Sequence, residues 1–188
     1  MVVLVAVVSM PLTGCMTAIK QALREAKGAT GEVFPTREVR PGELERFNGV
    51  AFRPATTDVG ERITPAALLL GFDNGAREIA GDLAADYPGG DPTLTIQTSL
   101  IYFQSKGILS GAEALARVKM LEGDRVVIDS VVRSESDAFR AGDEEALSAA
   151  LARGIRKFLI DNKYTPEKRK EVDKKREEET KAKEESEA

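Results

Sequence analysis

Reactive groups are scarce in this chain. Cys15 is the only cysteine among 188 residues, and there is no histidine. Cys15 closes the stretch Leu12-Thr13-Gly14-Cys15, which follows an apolar block from Val2 to Val8 and the spacer Ser9-Met10-Pro11. A thiol in that position can be alkylated on sulfur, or it can be buried as a small hydrophobe. It has no second cysteine to pair with, so no disulfide forms within the chain. Without histidine the commonest general base and metal ligand is missing. Once Cys15 is modified, no thiolate is left for structural zinc. We therefore expect no cofactor, no metal site and no catalytic residue. Carboxylates and serines are plentiful, but no His or Cys is at hand to activate a serine. A paired-carboxylate hydrolase would need only acidic side chains, and no Asp or Glu stands out from the surface background.

The apolar block has the length of a secretory h-region, roughly 7–15 residues. It is shorter than the about 20 residues that a membrane-spanning helix needs. With Leu12, the small pair Thr13-Gly14 and Cys15, it resembles a bacterial lipoprotein signal. The resemblance implies that residues 1–14 are removed as a signal peptide. Cys15 then becomes the first residue, its sulfur takes a diacylglycerol, and its new amine is usually acylated. Each buried methylene contributes about 0.8 kcal/mol, and a single myristoyl chain binds only marginally. Two or three chains on one residue would hold the protein to a membrane essentially irreversibly. The sequence departs from the pattern in one respect: no Lys or Arg precedes Lys20, so the positive n-region is missing. A start upstream of Met1 would supply it. The competing reading is a buried N-terminal strand, which a Val-rich run also suits. That reading leaves unexplained why the lone cysteine sits where the apolar run stops.

The rest of the chain has the length of one domain plus tails. Its net charge of -4 gives no global basic footprint for nucleic acid. Met16 to Lys27 has helical periodicity at Ile19 and Leu23. Gly28, Gly31, Pro35, Pro41 and Gly42 then punctuate the chain. Residues 15–47 read as the lipidated N-terminus and a linker that lifts the domain off the bilayer, or as a short docked helix.

The α/β domain is expected over residues 48–163. Gly49 to Phe52 is a short first strand ended by Pro54. Thr64-Pro65 starts a helix, with Thr as N-cap and Pro at the first helical position. Its apolar face runs from Leu68 to Tyr87, weakened by Gly71, Gly75 and Gly81 at about 1 kcal/mol each relative to Ala. A break near Asp73-Asn74-Gly75 would fit. Three strands follow. Leu94, Ile96, Thr98, Leu100 and Tyr102 share one face of the first. Ala112, Ala114, Ala116, Val118 and Met120 line the inner face of the second, small enough to let a helix lie close. Glu122-Gly123-Asp124-Arg125 is a tight hairpin turn, and the third strand puts Val126, Ile128 and Val132 inside. The final helix opens at Asp143, with Glu144 and Glu145 in its first turn and Arg153, Arg156 and Lys157 toward its end, as the helix dipole prefers. Its stripe is Leu147, Ala150, Leu151, Ile155, Phe158 and Leu159. Residues 164–188 are nearly all Lys, Arg and Glu and cannot bury a core. They read as a solvated charged helix or tail, or as a spacer or docking arm.

The expected architecture is α+β: a small mixed or antiparallel sheet, order β-α-β-β-β-α, with two helices on one face. No P-loop, dinucleotide fingerprint, EF-hand loop or nucleophile elbow occurs. Gly107-Ile108-Leu109-Ser110-Gly111 reads as a turn between strands. Three tyrosines (Tyr87, Tyr102, Tyr164) and no Trp are poor material for a carbohydrate platform.

The segment Gly111-Ala-Glu-Ala-Leu-Ala-Arg-Val-Lys-Met-Leu121, the turn Glu122-Gly123-Asp124 and the strand Val126-Val127-Ile128 carry a family resemblance. Behind a lipobox and linker, this order resembles small proteobacterial envelope lipoproteins that share the α/β domain of the TolB N-terminal region, the curli secretion-channel lipoprotein and the lipoprotein activators of penicillin-binding proteins. The resemblance covers about Asn48 to Asp161, and the hairpin departs from it, since the family often has an Asp before the turn. It implies a non-enzymatic, lipid-anchored interaction or accessory module. One subgroup implies activation of a wall synthase, another a secretion or transport accessory. It implies the periplasmic face of the outer membrane, because Met16 is not the Asp that favours inner-membrane retention in enteric lipoproteins. The expected partners are the membrane, through acyl chains on Cys15, and an envelope protein, not nucleic acid. The alternatives are a carboxylate-dependent envelope hydrolase and a periplasmic ligand-binding domain.

Overall fold

A computed structural model describes residues 29–105, 111–136 and 144–187. In chain order the elements are β1 (Thr30–Pro35), β2 (Gly49–Phe52), β3 (Thr56–Thr57), α1 (Ala66–Asp82) with a 3-10 turn (Leu83–Ala85), β4 (Thr93–Gln104), β5 (Ala112–Glu122), β6 (Arg125–Ser136), α2 (Glu144–Lys163) and α3 (Pro166–Glu187). The sheet runs β1-β6-β5-β4-β2, with β3 pairing β4 beyond β2. β2 and β3 lie parallel to β4, and all other pairs are antiparallel. The fold is α+β with a mixed sheet and α1 and α2 packed side by side on one face.

Alternation explains the sheet. Leu94, Ile96, Thr98 and Leu100 of β4, Ala114, Ala116, Val118 and Met120 of β5, and Ile128 and Val132 of β6 are buried beneath the helices. Leu68, Phe72, Ala76 and Ile79 of α1 and Leu147, Leu151, Ile155 and Leu159 of α2 close the core from the other side. Each fully buried Leu or Ile contributes about 1.5–3 kcal/mol over its exposed state.

Two irregularities move residues that strict alternation places inside. The register of β4 on β5 shifts between Leu100 and Tyr102, so Tyr102 falls opposite Leu115. One extra residue reverses the facing of everything after it, and Tyr102 is 39% exposed instead of joining the core. The register of β6 on β5 shifts between Met120 and Leu121, and Val126 is turned out, 46% exposed.

The domain begins before Asn48. Thr30–Pro35, expected as linker, is an edge strand paired along its length with β6. Leu44 and Phe47 are each 1% exposed. In β1 the glycine is a contact, not punctuation: a Cβ on Gly31 would lie 1.9 Å from the Ala150 carbonyl oxygen of α2. The glycines of α1 have the same logic. A Cβ on Gly75 would meet the Ala152 Cβ at 3.0 Å, and one on Gly71 would strike Ser148. They let α1 and α2 approach closely, and α1 continues through Asp73-Asn74-Gly75 without a break.

The start of α1 differs by one residue from expectation. The N-cap of α1 is Pro65, with no side-chain cap. The Thr64 hydroxyl is instead 2.6 Å from that of Thr57, tying the approach to α1 to β3. α2 is described from Glu144, with Glu144 and Glu145 in its first turn. Asp143, its expected first residue, lies outside the described residues, as do positions 106–110 of the expected turn before β5. The charged C-terminal stretch is helical over Pro166–Glu187, about 33 Å long at 1.5 Å per residue. Among the described residues no helix is long and apolar enough to cross a membrane.

Candidate functional site

Cys15, the one residue expected to be modified, lies outside the described residues together with all of 1–28. Three surfaces and clusters of the domain carry unusual side-chain arrangements.

The first is a groove of about 290 Å³ between β2 and α1. One wall is β2 with Arg53 and Pro54; the other is the helix face Asp73, Ala76, Arg77 and Ala80. The small alanines keep the helix wall low. The lone carboxylate of the lining, Asp73, accepts the Ala55 N–H at 2.9 Å through Oδ1. Arg77 donates to the Asn74 side-chain oxygen at 2.7 Å. The Arg53 amide is paired to the Ile96 carbonyl at 2.9 Å. Two guanidinium groups and one engaged carboxylate make the groove cationic.

The second is a buried polar cluster where α2 meets α3. Lys163 is 4% exposed and occupies the next stripe position after Ile155 and Leu159, four residues apart. Its ammonium donates to the Phe47 and Glu45 carbonyls, the latter at 3.4 Å, and sits 4.2 Å from the centre of the Tyr87 ring. Burial lowers the Lys163 pKa, while nearby Asp86 and Glu45 work against that shift. Tyr87 donates to the Leu159 carbonyl at 3.1 Å, and burial drives its phenol well above the usual range. Asp86, 6% exposed, pairs with Arg176 of α3 at 2.8 Å. Arg169 reaches Asp161 at 3.0 Å, and Lys168 pairs with Glu45. The loop 42–47 also caps α2, since the Gly42 and Leu44 amides donate to the Asn162 carbonyl at 3.1 and 3.2 Å. Through these contacts the Lys163 amine clamps α2 to the loop 45–47 and to Tyr87. Its only sequence signal was a lysine in phase with a leucine stripe.

The third is the sheet face away from the helices. Register brings Phe34, Val131, Arg117 and Ser99 into one row and Glu32, Arg133, Leu115 and Tyr102 into another. Arg117 pairs with Asp129 and Arg133 with Glu113, at 3.0 and 2.6 Å through Nε. At the hairpin end, Arg46 and Arg125 both hold Glu122, whose pKa falls to about 2 under their hydrogen bonds. Arg117 likewise lowers Asp129, and Arg37 lowers Glu43. Carboxylates held in this way are ionised acceptors, not proton donors near neutrality. Among the described residues no group of three or more His, Cys, Asp or Glu could hold a metal ion.

No family model matches the chain, and no curated protein matches it. Solved structures do. A dodecamer of a PelC variant from Paraburkholderia phytofirmans is similar at 16% identity and a TM-score of 0.41, over 68% of this chain and 98% of PelC. A second PelC dodecamer from that organism is similar at 12% identity, with the same TM-score and coverage. The hypothetical protein CT253 from Chlamydia trachomatis is similar at 10% identity and a TM-score of 0.35, over 61% of this chain and 94% of that one.

Proposed function

We propose that this chain is a lipid-anchored, non-enzymatic interaction module of the cell envelope, acting as an accessory to an envelope protein partner. Acyl chains on Cys15 hold it at the periplasmic face of the outer membrane. The observation that carries the reading is Leu12-Thr13-Gly14-Cys15 at the end of an apolar run, ahead of a chain with no other thiol and no histidine. The ion-paired carboxylates of the domain support the absence of acid–base chemistry. The cationic groove and the open sheet edge offer surface for a partner.

The test is labelling of growing cells with an alkyne-bearing palmitate analogue, with membrane fractionation of wild type and Cys15→Ser. The expected result is label on wild type only, and release of the variant from the outer-membrane fraction. Label retained by Cys15→Ser, or a variant that stays stably membrane-bound, would end the tether reading. Cross-linking in living cells followed by detergent extraction then tests for the partner. A specific envelope protein lost with Cys15→Ser is expected.

A further inference from the structure

The groove beside β2 differs from the other two arrangements because neither of its guanidinium groups, on Arg53 and Arg77, pairs with a carboxylate among the described residues. The Lys163 cluster is internally satisfied, and the outer sheet face carries its own ion pairs. β2 ends the sheet path, and only β4 pairs with it. The Gly49 and Arg53 amides donate inward, to the Pro92 and Ile96 carbonyls at 3.4 and 2.9 Å. In a parallel ladder, alternate residues direct their N–H and C=O to opposite sides. Val50 and Phe52 therefore turn theirs outward, and among the described residues no backbone partner meets them. The Val50 and Phe52 side chains stay packed on the core, so the strand is fixed while its edge is open.

Natural edges are commonly blunted by shortness, proline or charge. Here the edge is four residues long and ends before Pro54, yet the helix wall of the groove is cut back to Ala76 and Ala80 beside it. That leaves a groove of about 290 Å³ between the β2 edge and α1. Its lining sets Arg53 and Arg77 against the single carboxylate of Asp73, so cations outnumber anions. Arg77 meets only a neutral amide oxygen, and Asp73 is already committed to the Ala55 amide.

We propose that this groove is a docking site for an extended, acidic segment of a partner protein. The segment adds a strand to β2 through the outward groups of Val50 and Phe52, and its carboxylates pair with Arg53 and Arg77. This is recognition by strand addition, in which backbone bonds supply affinity and alternate side chains supply selectivity. The proposal deepens the interaction-module reading above by naming the surface and the partner chemistry, and it does not depend on the acyl anchor.

The test uses the full chain purified in mild detergent and three fluorescently labelled heptapeptides, read by anisotropy. One alternates glutamate with valine, and one alternates lysine with valine. The third is the acidic peptide N-methylated at every second residue. The acidic peptide should bind at least tenfold tighter than the basic one, and N-methylation should abolish binding. The double variant Arg53→Glu/Arg77→Glu should reverse the charge preference while melting like wild type, since both side chains are exposed. Equal binding of acidic and basic peptides, tight binding of the N-methylated one, or no binding at all would overturn the proposal. So would an oligomer of the free chain that Arg53→Glu/Arg77→Glu dissociates, because the edge would then be filled by a second copy. The N-methyl comparison needs no variant, so a double variant that failed to fold would not blunt the test. Failure of this assay leaves the tether reading standing, and failure of the palmitate experiment leaves this one standing.

Discussion

One substitution made at two glycines should have opposite signs. Gly81 lies near the end of α1, and a Cβ there meets nothing within 4 Å. Gly81→Ala should stabilise by about 0.5–1 kcal/mol, because alanine loses less backbone freedom in a helix. Gly31 lies in β1 where α2 crosses it. Its added Cβ would sit 1.9 Å from the Ala150 oxygen and 2.6 Å from the Ala150 carbonyl carbon. Neither is a side-chain atom that can rotate away. Reaching the 3.0 Å below which real Cβ contacts essentially never occur requires an opening of about 1.1 Å, the difference from 1.9 Å. That opening must be shared between β1 and α2, which are also close at Gly154, where an added Cβ would lie 3.0 Å from the Gly31 carbonyl carbon. Lifting α2 loosens the fully buried Ala150, Leu151 and Ile155. Overpacking of this kind costs about 1–3 kcal/mol, and the upper half is expected because the obstacle is backbone. At about 2–4 °C per kcal/mol for a domain of this size, Gly31→Ala should melt about 4–12 °C lower. Urea unfolding with an unchanged slope should show the same loss. If Gly31→Ala melts within 1 °C of wild type, the crossing of α2 over β1 is misplaced.

Leu151→Asp and Leu83→Asp should each abolish cooperative unfolding, since residues 2% and 1% exposed would become buried charges; circular dichroism melts decide it. Lys163→Met keeps the stem but leaves the Glu45 and Phe47 carbonyls without their donor. It should cost about 1–3 kcal/mol and speed amide exchange over residues 42–47, and unchanged exchange there would rule out the clamp. Glu122 has its folded pKa lowered from 4.5 to about 2, first by Arg46 and then by Arg125. Its contribution is therefore fully present above pH 4.5 and lost as pH falls from 4.5 toward 2. Arg46→Gln should flatten that part of the stability–pH curve, and an unaltered curve would show that the pair is fully screened by solvent.

Periodicity in the sequence was enough for much of the fold. Alternation of Leu94 to Leu100, the alanine series of β5, the turn at Gly123 and the stripe from Leu147 to Leu159 each follow from a local period that only one buried face can satisfy. The α+β architecture with two helices on one sheet face was legible for that reason. The lack of histidine and the single cysteine are properties of the sequence alone. What tertiary structure alone decided is what depends on a neighbour far along the chain. Thr30–Pro35 has little apolar periodicity of its own and becomes a strand because β6 offers a bare edge and α2 needs a glycine to cross. Gly71 and Gly75 look like weak points of a helix until Ser148 and Ala152 are placed against them. Tyr102 and Val126 change face because a single inserted residue inverts every side chain beyond it. Lys163, Asp86 and Arg176 are ordinary surface charges in one dimension. Lys163 and Asp86 become buried, with Arg176 paired to Asp86, only when loop 42–47 and α3 pack beside Tyr87. The cationic groove likewise joins Arg53 to Arg77 across a helix and a strand edge, and no local spacing encodes that meeting.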